Sequence, residues 1–145
     1  MSISVISPVE LAEYFESGKK IDLIDVCTPA EYRGMHVESA CNIPLETLDP
    51  ASVMQARNRP TEEPLYVICR TGNRGKQASE KFLSAGFANV VNVEGGIKAC
   101  VEAGLPVAIF SIHAIAIGRK MRPGMPIGSD GYSWRKYHCV SAPVV

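Results

Sequence analysis

The sequence lacks several features that would each have pointed to a function. No two of its five cysteines stand at CxxC spacing. Cys27, Cys41, Cys69, Cys100 and Cys139 lie far apart and are odd in number, which argues against a zinc ribbon or a thioredoxin-like redox motif. Neither charge is in excess, with Lys+Arg and Asp+Glu both at 15. That balance argues against a nucleic-acid partner and against a polybasic membrane binder. The longest apolar run, Val107 to Ile117, is broken only by Ser111 and His113. It is well short of the roughly 17–25 residues that span a bilayer. The first residues, MSISVISPVELAEY, carry neither a positive segment nor a long apolar one, so no secretory signal is expected. A reducing, cytoplasmic setting with free thiols follows as the expectation.

What remains is ordinary for a globular domain: 145 residues, 46% hydrophobic and 21% charged. Such a chain can bury roughly two-thirds of its unfolded surface without staples. Ser7-Pro8-Val9-Glu10 has the pattern of a helix start, and Gly18 is the expected stop. Ile21 to Val26 suits a short buried strand. Thr28-Pro29-Ala30-Glu31 repeats the capping pattern, so a second short helix is expected at once. Ala40 to Pro44 is expected to be extended, Glu46 to about Arg57 helical, and Arg59 to Pro64 a loop. Leu65-Tyr66-Val67-Ile68 is the cleanest strand. Gly75 to Ala85 reads as a helix with Gly86 as its stop, Asn89 to Val93 as a strand, and Ile97 to Ala103 as a last helix. Strands alternating with helices imply an α/β fold, a central mostly parallel sheet with helices on both faces. Residues 1–107 read as the domain. Residues 108–145 read as an apolar segment followed by an irregular tail rich in glycine, proline and basic or aromatic residues.

The chemistry concentrates in Cys69-Arg70-Thr71-Gly72-Asn73-Arg74-Gly75-Lys76, between the best strand and a good helix. Ligands of parallel α/β sheets bind at the carboxyl ends of strands. A cysteine there faces unpaired N–H groups and the positive end of a helix dipole, both of which favour a thiolate. Its pKa is expected below the free value of about 8.5. Arg70 and Arg74 add positive potential. Gly72 permits the tight turn that a ring of N–H groups needs. Taken alone, a cysteine after a strand is just a small residue closing a core position; the Arg-Thr-Gly-Asn-Arg sequence behind it favours a reactive one.

This loop resembles the active-site loop of rhodanese-type sulfurtransferases, C-R-x-G-x-R before a helix. Asp25-Val26-Cys27-Thr28-Pro29-Ala30-Glu31-Tyr32-Arg33-Gly34-Met35-His36-Val37 is similar to the family's upstream signature D-V-R-x-x-x-E-[YF]-x-x-G-H-I. Ala40-Cys41-Asn42-Ile43-Pro44 resembles its A-x-N-I-P. Gly95-Gly96-Ile97 with Gly104-Leu105-Pro106-Val107 resembles its C-terminal motif. The four motifs occur in the family's order, over about residues 4–107. The resemblance implies the rhodanese fold and a two-step transfer of sulfane sulfur. A donor such as thiosulfate would leave its outer sulfur on Cys69, and a thiol or cyanide would remove it. It makes Cys69 the catalytic nucleophile and Arg70, Thr71, Gly72, Asn73, Arg74 and Gly75 the substrate-binding loop. Arg74 could equally be structural, bridging the loop to the domain. Asp25, Arg33 and His36 are candidates for supporting the site. No metal or organic cofactor is implied, and His36, His113 and His138 are isolated. Partners are expected to be small: the donor and the acceptor. The oligomeric state is left open.

The sequence departs from the family at Cys27, which stands where an arginine is usual. Asp25 and Glu31 are therefore expected to lack that arginine as a partner. Cys27 either fills the vacated space or acts as a resolving thiol toward Cys69. Two rival functions remain. A cysteine-dependent phosphatase or arsenate reductase would need C-x5-R, one residue more than the spacing from Cys69 to Arg74. A non-catalytic binding or regulatory module would be expected to have lost the cysteine.

Overall fold

A computed structural model describes residues 3–57 and 59–109. The chain begins with strand β1 (Ser4–Ile6) and helix α1 (Pro8–Glu16), capped as expected by Ser7, whose side chain accepts from the Glu10 N–H. Strand β2 (Asp22–Asp25) runs into helix α2 (Pro29–Gly34), closed by a capping box between Thr28 and Glu31. Short strands β3 (Met35–Val37) and β4 (Cys41–Asn42) follow. The helix expected from Glu46 to Arg57 is instead two pieces, a 3-10 turn over Leu45–Thr47 and helix α3 (Pro50–Ala56). Pro50 explains the break. It has no N–H for an internal helical bond and forces the preceding residue to be extended; Asp49 has φ −114° and ψ 107°. Strand β5 (Leu65–Ile68), helix α4 (Asn73–Ser84), strand β6 (Val90–Val93), helix α5 (Gly96–Glu102) and strand β7 (Val107–Ile109) complete the order.

Five strands form one parallel sheet in the order β1-β6-β5-β2-β4. β5 lies at its centre and all four of its residues are buried, which explains its continuous apolar run. Successive strand residues face opposite sides. The Tyr66 ring meets Tyr14 of α1 at 6.1 Å between centroids, whereas Val67 shares a face with its neighbour Asn92, which lies against Gly75 of α4. α1 therefore covers one face and α4 the other. β7, the start of the apolar run, pairs antiparallel with β3, so Ala108 and Ile109 lie in a second, two-stranded sheet with His36. Residues 110–145, which include most of the expected tail, lie outside the described residues. No helix among the described residues is long and apolar enough to cross a membrane.

Candidate active site

Parallel strands put their carboxyl ends on one edge. Asp25 closes β2, Cys69 follows β5 and Asn92 lies near the end of β6, so three adjacent strands each bring a polar residue to that edge, with Asp25 and Asn92 on opposite faces of the sheet. Asp25 pairs in register with Ile68, the residue before Cys69, and Asn92 with Val67. Cys69 is 1% exposed. The N–H of Gly72 donates to its sulfur at 2.9 Å. That contact requires Gly72 in the left-handed region, with φ +104°, where a side chain would be strained.

The backbone of the loop is held from behind by the first turn of α5. The Ile97 N–H donates to the Cys69 carbonyl at 2.8 Å and the Lys98 N–H to the Arg70 carbonyl at 3.3 Å. This close approach explains the Gly95-Gly96 pair. A Cβ on Gly96 would collide with the Cys69 carbonyl oxygen and sit 2.6 Å from the Arg70 carbonyl carbon. On the other side, Arg74 makes a two-pronged ion pair with Glu31, Nη1 to Oε1 at 2.6 Å and Nη2 to Oε2 at 2.9 Å. Glu31 also accepts from the Thr28 N–H. One carboxylate thus closes the cap of α2 and ties the Cys69 loop to it. Glu31 therefore has an arginine partner, Arg74, which comes from the loop. This pairing draws the Glu31 pKa down to about 2, with the Thr28 hydrogen bonds helping and burial opposing.

Asp25 does lack an arginine partner. It is fully buried; Oδ1 accepts from the Cys27 N–H at 2.8 Å, and Oδ2 has no hydrogen-bond partner. Burial pushes its carboxyl above the ordinary value, against Cys27, His36 and Arg74, which draw it down. Cys27 is 1% exposed. Burial first, then the Asp25 carboxylate, push its thiol well above the ordinary cysteine range. Cys27, Cys69 and Cys100 are free thiols. Cys139 lies outside the described residues.

The other candidates are spread around the mouth. Thr71 and Asn73 are exposed. The Arg70 side chain is 62% exposed, with its Nη1 3.7 Å from Glu31, so its guanidinium faces arriving solutes. Gly75 is buried within 3.7 Å of Cys69 Sγ, measured from where its Cβ would sit. Arg33 is exposed at the end of α2. His36 is buried; its Nδ1 hydrogen-bonds the Tyr32 carbonyl at 2.7 Å and its ring stacks on Tyr32 at 3.8 Å. Its contacts are thus those of a packed residue that ties β3 to α2. Among the described residues, no three His, Cys, Asp or Glu side chains gather as metal ligands would. Sequence reasoning missed Asn92, whose only signal was a polar residue inside the apolar strand Val90-Val91-Asn92-Val93.

Residues 7–103 match the rhodanese-like domain family. The protein slr1261 of Synechocystis is 33% identical over 100 residues, covering 69% of this chain and 54% of its own length. MoeZ of Mycobacterium tuberculosis, named a probable adenylyltransferase/sulfurtransferase, is 33% identical over 96 residues, covering 66% of this chain and 24% of its own length. The chain thus spans about half of the first relative and about a quarter of the second. The human single-domain sulfurtransferase TSTD1 superposes with a TM-score of 0.57 at 26% identity, over 70% of this chain and 97% of that one. The motifs, the sheet order and the cysteine loop at its carboxyl edge agree with these likenesses, and the chain belongs to the rhodanese-like domain family.

Proposed function

We propose that the chain is a sulfurtransferase that carries sulfane sulfur on Cys69, taking it from a donor such as thiosulfate and passing it to a thiol or to cyanide. The observation that carries this reading is the Gly72 N–H on the Cys69 sulfur, at the start of a 12-residue helix. Both features favour negative charge on that atom. In the first step the Cys69 thiolate attacks the outer sulfur of the donor. The donor's S–S bond breaks, sulfite leaves with the bonding pair, and Cys69 becomes a persulfide. In the second step the acceptor's thiolate or cyanide attacks the outer sulfur and Cys69 leaves as the thiolate. No net oxidation of the protein occurs over the cycle. The N–H groups of the loop serve the anion in both states.

Arg70, exposed at the mouth, is the cation that draws in an anionic donor. Arg74 has both Nη atoms on Glu31, which favours the bridging role over direct substrate binding. Cys27 is buried and strongly disposed to stay protonated, which favours packing over a resolving role, because a protonated thiol does not attack a persulfide. The experiment is Cys69→Ser. The variant should keep the wild-type fold and lose thiocyanate formation from thiosulfate and cyanide. Turnover retained in the folded variant would refute the assignment.

A further inference from the structure

Among the described residues, two buried side-chain oxygens have no hydrogen-bond partner, Asp25 Oδ2 and Asn92 Oδ1. They come from β2 and β6, the two strands that flank β5. An orphaned buried acceptor is costly and calls for an explanation. For Asn92 the surroundings supply one. The residue is 6% exposed and its Nδ2 donates to the Gly72 carbonyl at 3.2 Å. That carbonyl is already satisfied, because it accepts the first internal bond of α4 from the Lys76 N–H at 3.0 Å. The asparagine is therefore not needed to pair a stranded backbone group. A leucine or valine would avoid the orphaned Oδ1 altogether and suit the strand better.

What the asparagine does touch is the residue whose other end holds the nucleophile. Gly72 donates its N–H to Cys69 Sγ and offers its carbonyl to Asn92. Gly72 has no side chain to restrain it, so Asn92 adds a second hold on its carbonyl beside the Lys76 N–H. The room for this contact is made by Gly75. A Cβ there would collide with Asn92 Oδ1 and come within 3.3 Å of Asn92 Cγ and 3.7 Å of Cys69 Sγ. The amide of Asn92 and the sulfur of Cys69 thus border the same small space.

We propose that Asn92 is a positioning residue of the sulfur-transfer site, gripping Gly72 so that its N–H stays on the Cys69 sulfur. The inference rests on the reading of Cys69 as nucleophile. Asn92 acts through Gly72, whose carbonyl it holds. It should therefore govern the reactivity of the sulfur and leave donor binding at Arg70 alone.

The test is Asn92→Leu, which keeps the approximate volume and removes the amide. Iodoacetamide labelling of Cys69, followed by peptide mass spectrometry across pH, reads the sulfur without any sulfur donor. Loosening Gly72, and with it the N–H on the sulfur, should slow Cys69 labelling at neutral pH by about tenfold. With thiosulfate, kcat should fall and KM stay near the wild-type value, and thermal stability should be little changed. A folded variant with the wild-type labelling profile would overturn the proposal, as would a variant that loses only stability. A second measurement uses the wild-type chain. The Asn92 side-chain amide protons should exchange slowly with solvent and shift in NMR spectra when Cys69 is alkylated; fast exchange without a shift would overturn the proposal even if Asn92→Leu does not fold. If wild type transfers no sulfur yet the labelling profile moves as expected, the sulfurtransferase reading fails and the positioning role of Asn92 stands.

Discussion

The two edges of the parallel sheet treat the same residue type in opposite ways. At the amino edge, Asp22 opens β2 and is paired with Arg57 at 2.7 Å and Arg59 at 3.4 Å. The fully buried Arg57 guanidinium is further matched to the Glu63 and Pro64 carbonyls. At the carboxyl edge, Asp25 ends the same strand with one oxygen unpartnered, and Asn92 repeats the pattern two strands away. Left-handed glycines also gather there, at Gly72, Gly95 and Gly96. The amino edge satisfies its polar groups and holds the fold. The carboxyl edge leaves polar groups underused around a thiol, the pattern expected where function has overridden local stability.

The largest expected effect tests the amino edge. Arg57→Met would leave Asp22 with only the longer Arg59 contact. Breaking a buried ion pair by removing one partner costs about 3–5 kcal/mol. The urea midpoint should fall accordingly, while the folded fraction keeps its sulfur-transfer rate, because Arg57 is at the opposite edge from Cys69. A rate loss in the folded fraction would break the division between edges.

A smaller stability effect and a larger activity effect are expected from Glu31→Gln, which frees Arg74 and loosens the loop. Misplacement of a reacting group can cost up to roughly a hundredfold in rate, so a ten- to hundredfold fall in kcat is the expected range. The pH dependence follows from the sign of the shift. Glu31 has a pKa of about 2 in the fold, below the ordinary value of about 4.3. Its stabilisation is present above that ordinary value and is lost as pH falls toward 2. Acid titrations by circular dichroism should show this loss in wild type and not in Glu31→Gln.

The smallest effect should come from Asp25→Asn, and its sign is reversed. The Asp25 carboxyl is raised by burial, so its contribution is full at low pH and lost as pH rises through the raised value. The asparagine keeps an oxygen for the Cys27 N–H. The variant's stability relative to wild type should therefore improve as pH rises from about 4 toward neutrality. A constant difference across that range would show that Asp25 does not titrate as its burial requires.

The part of the site that the sequence reveals is the part made by neighbours in the chain. Cys69, Gly72 and the start of α4 are contiguous, so strand, turn and helix signals sit side by side. The Ser7 cap of α1 and the capping box of α2 were readable for the same reason. The 3-10 break was readable in principle from Pro50, yet the apolar spacing on both sides masked it. The Glu31–Arg74 clamp joins residues 43 positions apart and the Asn92–Gly72 contact residues 20 apart. Such pairings depend on strand order, which no local pattern carries. Glu31 also has a complete local role as a helix cap, which hides its second one.

The most direct measurement of the central claim is mass spectrometry of the chain after treatment with thiosulfate, intact and then as peptides. The expected result is one added sulfur atom, on the peptide that carries Cys69, released on addition of cyanide and absent in Cys69→Ser. Sulfur found on Cys27 or Cys100 instead, a Cys27–Cys69 crosslink in its place, or no added mass on Cys69 with any sulfane donor, would contradict a persulfide carried at that loop.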